Sequence, residues 1–151
     1  MKGYSFTGTR EGMSNQQKQA LMILLEDACS DEPGALPKVL RHGVCVGADA
    51  EFHCIARGVA GSKGDVYAYC IIGHLSNLTK YTDYLIKNDC DALTEPKPPL
   101  DRDNDIACAD DTLALIAAPK NMNERDDPRS GTWATVRRAR KAGKPVIILD
   151  R

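Results

Sequence analysis

The feature that most constrains this chain is an alternation between short, wholly apolar runs and longer amphipathic segments. Near its end, "TLALIAAP" (112–119) is apolar almost throughout, "GTWATVRRARKA" (131–142) follows at helical spacing, and "KPVIILD" (144–150) is apolar again. A short uninterrupted apolar run is the mark of a strand covered on both faces, and such strands belong to parallel sheets joined by crossover helices.

The same alternation extends back to the start. "GYSFTGTREGM" reads as a strand ending in a glycine turn, and Ser14 then caps a helix over 15–29 with Ala20, Leu21, Leu24, Leu25 and Ala28 on one face. "DEPGALP" (31–37) breaks it, "KVLRHG" is a second strand, and "ADAEFHCIARGVA" (48–60) is a second helix. "GSKG" reads as a turn before a third strand, "DVYAYCIIG" (65–73). The segment at about 74–100 is polar and then proline-rich; it reads as a lid or insertion with a short helix inside. "RDNDIACADD" (102–111) is a short helix before the apolar run at 112–119. The expected fold is therefore α/β: a Rossmann-like, doubly wound, mainly parallel sheet of about five to six strands with helices on both faces, formed as one domain over 1–151.

The formal net charge of -1 gives no basic footprint for nucleic acid or an anionic membrane. The six cysteines form no CxxC pair, so they read as small buried hydrophobes in a reducing compartment. No apolar leader or spanning segment is evident, and the expected location is the cytoplasm. The three histidines are too scattered along the chain to imply a metal site, and none is expected.

In an open parallel sheet, ligands bind beyond the carboxyl ends of the strands. Three loops there carry unusual chemistry: "TGTREG" with Gly8, Thr9 and Arg10; "HGVCVGAD" with Gly47, Ala48 and Asp49; and "APKNMNERDDPRSGTW" with Pro119, Arg129, Ser130, Gly131 and Thr132. Each precedes a helix. A helix N-terminus offers unpaired N–H groups and partial positive charge, glycine permits close approach, and hydroxyl and guanidinium groups add donors. Together the loops predict a phosphorylated ligand. Neither GxGxxG nor GxxxxGK[ST] is present, so the phosphate is not held by either of those motifs.

"TGTR", "HGVCVGADAEFHCIAR", "LIAAP" and "SGTWATVRRARKAGKPVIILD" resemble the SLOG superfamily. That group includes the DNA-processing protein A domain, "lonely guy" phosphoribohydrolases, molybdenum-cofactor carriers and YspA-like proteins, and the resemblance is nearest in style to the YspA-like branch. It lapses between about His74 and Pro99. The resemblance implies a Rossmann-like fold that binds a nucleotide-derived ligand, with phosphate over Ser130, Gly131 and Thr132. Gly8, Thr9 and Arg10 would form the opposite wall, and Gly47, Ala48 and Asp49 would face the sugar. Arg102 and Asn104 stand where relatives place a polar pair. Homo-oligomers are a family expectation. The hydrolases carry a PGGxGTxxE motif, whereas here Thr135 holds the place of the catalytic Glu.

Two main readings of function remain open. One is a binding module, a sensor, carrier or sequestering protein, with no required cofactor and a nucleotide as its bound ligand. The other is an N-glycosidic hydrolase of nucleoside 5'-monophosphates, with Asp49 or Glu51 supplying the carboxylate. Asp49 also reads as a cap or ribose ligand, and Glu51 as dipole compensation. His53 and His74 read either as ligand contacts or as structural hydrogen-bonding groups, and Trp133 either stacks on a base or packs under the loop. Single-stranded DNA binding is a third reading, opposed by the near-neutral charge.

Overall fold

The computed structural model describes residues 3–29, 38–63 and 69–151. Its six strands are β1 (Gly3–Gly8), β2 (Val39–His42), β3 (Cys70–Gly73), β4 (Ala92–Leu93), β5 (Thr112–Ala118) and β6 (Val146–Ile148). The helices are α1 (Asn15–Cys29), α2 (Ala48–Lys63), α3 (Tyr84–Asp89), α4 (Pro99–Cys108) and α5 (Gly131–Lys141). All strand pairings in the sheet are parallel, in the order β4-β3-β2-β1-β5-β6.

The burial of β5 shows why an unbroken apolar run becomes a central strand. Side chains alternate across a sheet, and here both faces are covered. Ile116 and Ala118 join Phe6, Leu21, Leu25, Leu40 and Phe52 in a core beneath α1 and α2. Leu115 and Ala117 face Ala107, Trp133, Val136 and Ala139 of α4 and α5. Phe6 and Phe52 stack with ring centroids 4.4 Å apart.

Helix starts follow local chemistry. The Ser14 hydroxyl accepts from the Gln17 N–H at 3.1 Å, and the Gln17 side chain accepts from the Ser14 N–H at 3.0 Å. This reciprocal box opens α1. Pro99 opens α4, where its missing N–H costs nothing. Ser130 caps α5 by accepting from the Trp133 N–H at 3.2 Å, and the last turn of α5 carries Arg138, Arg140 and Lys141 at its negative end.

The structure differs from the sequence reading in two places, and a third expectation lies partly outside the described residues. The "GSKG" turn is not a turn at its start, because α2 continues through Lys63; two glycines weaken a helix without ending it when the preceding turns are packed. The third strand is described only from Cys70, and the expected strand residues 65–68, like the break at 31–37, lie outside the described residues. The lid contains α3 as expected and also β4, an edge strand of two residues that no local pattern announces. Among the described residues, no helix is long and apolar enough to cross a membrane.

The chain steps from β1 outward through β2, β3 and β4 on one side, then returns to place β5 and β6 on the other. The loops after β1 and β5 therefore diverge from adjacent strands. That divergence opens a crevice at the carboxyl edge of the sheet.

Candidate functional site

A cleft of about 480 Å³ occupies this crevice. Of the residues expected at a ligand site, Gly8, Thr9, Arg10, Asp49, Arg102, Arg129, Ser130, Gly131 and Thr132 line it. One wall is the loop after β1. The other is the start of α5, where Ser130 occupies the Trp133 N–H and Gly131 and Thr132 border the cleft. Cations stand on both walls, but they are not equivalent. Lys120 pairs with Glu11 at 2.9 Å, and Arg102 pairs with Asp103 at 2.7 Å. Arg10 and Arg129 have no carboxylate partner among the described residues.

Asp49 sits at the floor, in the first turn of α2. Its carboxylate accepts from the Cys45 N–H at 3.2 Å. Burial pushes its pKa up to about 6, against the opposing pull of Arg102 and the Cys45 amide. Arg102 reaches across from α4 and donates to the Gly43 carbonyl at 2.8 Å. The Cys45 thiol is held up at about 11, by burial first and then by Asp49, so it is not a ready nucleophile.

The backbone that presents Cys45 to Asp49 is strained. Val44 has φ 57, a left-handed conformation that a β-branched residue rarely adopts. Its N–H donates to His42 Nδ1 at 3.0 Å, and its carbonyl accepts from the Asp83 N–H at 2.8 Å. A further bond, from the Val46 N–H to the Tyr81 carbonyl at 2.8 Å, ties this loop to the lid. Tyr81 then lays its ring into the cleft beneath the Arg10 guanidinium, 3.7 Å from the ring centroid.

Several expected site residues serve as supports. Gly47 has φ +87 and lies against the first loop; a Cβ there would sit 2.2 Å from the Arg10 carbonyl oxygen. Ala48 is fully buried, and its N–H donates to the Thr9 carbonyl at 3.0 Å. Neither borders the cleft; both fix the Arg10 loop. Glu51 lies behind the cleft, where it accepts from the Met13 N–H at 2.6 Å and pairs with Lys18 at 2.9 Å. Both its oxygens are engaged, which removes it as a catalytic candidate. The Pro119 carbonyl accepts from Gln17 at 3.0 Å and the residue is buried away from the cleft. Trp133 packs under α5 and donates its indole N–H to the Asn121 carbonyl at 3.0 Å, so it anchors the loop rather than stacking on a base. Asn104 is exposed and borders a separate depression beside Lys97 and Arg138. The Thr135 hydroxyl donates to the Gly131 carbonyl at 2.8 Å.

The histidines are also placed elsewhere. His74 is buried against the Arg41 guanidinium at 2.9 Å; burial and that charge lower its pKa to about 4. His53 lies buried between His42, at 2.9 Å, and the Asp89 carboxylate, at 2.6 Å. Although scattered along the chain, His42, His53 and Cys90 bring their donor atoms within 4.8 Å of one another, a set a metal ion could use. The tautomers argue for a hydrogen-bond relay instead. Val44 donates to His42 Nδ1, so the single proton of neutral His42 is on Nε2 and points to His53 Nδ1. His53 then carries its proton on Nε2, toward Asp89. A metal would need the His42 Nε2 lone pair, and taking it would cost the bond that restrains Val44. Burial, then His53, lowers the His42 pKa to about 3, consistent with a neutral ring.

The sequence reading missed Lys120, Cys45 and Asp103 at the cleft. Tyr81 carried a signal of its own, as an aromatic in the long segment expected to form a lid, and Cys45 and Lys120 lay within loops already singled out.

No protein-family model matches the chain, and no curated protein matches it. Among solved structures it is similar to TM1055, a structural-genomics target determined by X-ray crystallography. The likeness has a TM-score of 0.58 at 14% identity and covers 97% of this chain and 72% of the other. Similarity at that identity is a statement about fold: with the all-parallel six-stranded sheet, it makes this chain an α/β protein of Rossmann-like architecture.

Proposed function

We propose that the cleft binds a nucleotide or another phosphoribosyl-bearing ligand, and that the protein acts as a sensor, carrier or sequestering module for it. The observation that carries this reading is the facing pair of walls at the β1/β5 divergence: the start of α5 with Arg129 on one side, the Thr9–Arg10 loop on the other. An anion there meets a helix N-terminus and two guanidinium groups that no carboxylate among the described residues holds. The resemblance to SLOG proteins supports the same ligand class, and the Thr at position 135 supports binding over hydrolysis.

One observation favours a second reading. Asp49 is a buried carboxylate on the cleft floor with its pKa pushed up to about 6, suited to proton transfer near neutral pH. On that reading the protein cleaves nucleoside 5'-monophosphates at the glycosidic bond. Homo-oligomer formation is a further proposal, resting on the resemblance.

Native mass spectrometry of freshly purified protein, followed by denaturing extraction, tests all three. The expected result is a nucleotide retained with its glycosidic bond intact, and the native mass gives the subunit number. A ribose phosphate and free base would transfer the conclusion to hydrolysis. Empty protein with no thermal shift from any nucleoside phosphate or ribose 5-phosphate would end both readings.

A further inference from the structure

The geometry points to Tyr81 as the platform for a planar aromatic base, which makes the ligand a nucleotide with its base intact rather than a sugar phosphate. This rests on the phosphate reading above and deepens it.

Tyr81 is the aromatic ring that the lid contributes to the cleft. Its backbone is fixed on both sides: its carbonyl accepts from Val46, and Asp83 two residues on donates to Val44. The ring is only half-buried, so one large apolar surface is held rigidly at the rim of a polar cleft. What covers it is a single exposed guanidinium, that of Arg10, with Lys80 farther away at 5.4 Å.

Among the described residues Arg10 has no carboxylate to hold it there. An exposed cation over a ring is a weak contact, whereas a guanidinium on phosphate makes charge-assisted, often bidentate hydrogen bonds. Arg10 also borders the same cleft as Gly131 and Thr132. A phosphate at the α5 N-terminus therefore draws Arg10 away from Tyr81 and bares the ring face. A base joined to that phosphate through its ribose replaces the guanidinium on the ring. Base and guanidinium are interchangeable occupants because both are flat and both bind a π-face. Tyr84, three residues on, lies on the outer side of the lid with Lys87 5.7 Å from its ring, and it does not border the cleft.

Isothermal titration of the full chain with AMP, UMP, ribose 5-phosphate and inorganic phosphate tests the proposal. AMP and UMP should both bind more tightly than ribose 5-phosphate. Tyr81→Leu should weaken AMP about 5- to 100-fold and leave ribose 5-phosphate unchanged or slightly tighter, since it frees Arg10, while Tyr84→Leu changes neither. Arg10→Ala should weaken all four probes. Base protons of AMP should shift upfield by NMR in the wild type and not in Tyr81→Phe only if the hydroxyl, not the ring, were the contact; the stacking proposal expects the shift in both. Equal affinity for AMP and ribose 5-phosphate, with Tyr81→Leu silent, overturns the base platform and leaves the phosphate site standing. Failure of all four probes to bind overturns both.

Discussion

Two polar clusters flank the loop that follows β2, and they could hardly be used more differently. The His42–His53–Asp89 relay, with the Cys90 thiol beside its two rings, has its ring nitrogens committed to one another, to Asp89 and to Val44, while Asp89 also holds Arg57 and Cys90 the Ile86 carbonyl. The cleft is lined by carboxylates, a thiol and cations as well, but Arg10 and Arg129 have no carboxylate partner among the described residues, and α5 begins there. The lesson concerns spare capacity. A group already satisfied by the fold holds structure, and a group the fold leaves unsatisfied beside solvent is available to a ligand.

The largest expected effect comes from breaking the committed cluster. His42→Ala should cost about 3 kcal/mol in urea unfolding, because it orphans the Val44 N–H and His53 in the interior. His42→Asn, which can still accept from Val44, should lose less. If the relay were instead a metal site, one equivalent of zinc would raise the melting temperature of the wild type; no rise is expected.

Next is the pH dependence. His42 and His74, held to about 3 and about 4 when folded, support stability above their unfolded value of 6.5 and withdraw it as pH falls. Asp49 has the opposite sign. Its folded pKa of about 6 lies above its ordinary 3.8, so its contribution is full below about pH 4 and is lost as pH rises through 6. Between pH 4 and 6 it offsets one of the two histidines. Asp49→Asn should therefore steepen the acid-side loss of stability by about 1.4 kcal/mol per pH unit. Parallel curves for the two proteins would mean that Asp49 titrates normally and is not the buried floor described above.

Arg10→Ala should weaken inorganic phosphate about tenfold by titration, at little cost in stability, since the group is exposed. The smallest effect belongs to Glu11→Gln. Its exposed pair with Lys120 contributes under about 1 kcal/mol. Freeing Lys120 at the rim should make phosphate binding slightly tighter, and looser binding would show that Glu11 itself contacts the ligand.

How much of this was legible in the sequence varies with the range of the interaction. The sheet was readable because an apolar run such as 112–118 can be satisfied only between two covered faces. The α5 start was readable because Ser130, Gly131 and Thr132 act on their own helix. β4 was not, since Ala92 and Leu93 are a strand only by pairing with Ile72 and Gly73. The partners of Glu51, Pro119 and His53 were not legible for a related reason. Met13, Gln17 and Asp89 stand 38, 102 and 36 residues away, and a carboxylate or ring in a sequence does not disclose which distant donor already holds it.

The contact between Gly47 and Arg10 has a consequence for timing. With no side chain between them, the loops after β1 and β2 meet backbone to backbone, and the Ala48 N–H fastens them. Neither can swing aside without the other. Access to the cleft is therefore governed by rotation of the exposed Arg10 side chain, a motion of picoseconds to nanoseconds, rather than by loop opening a thousandfold slower. Ligand capture should then proceed at the rate of encounter, and residence time should be set by how firmly phosphate holds Arg10 once it has turned.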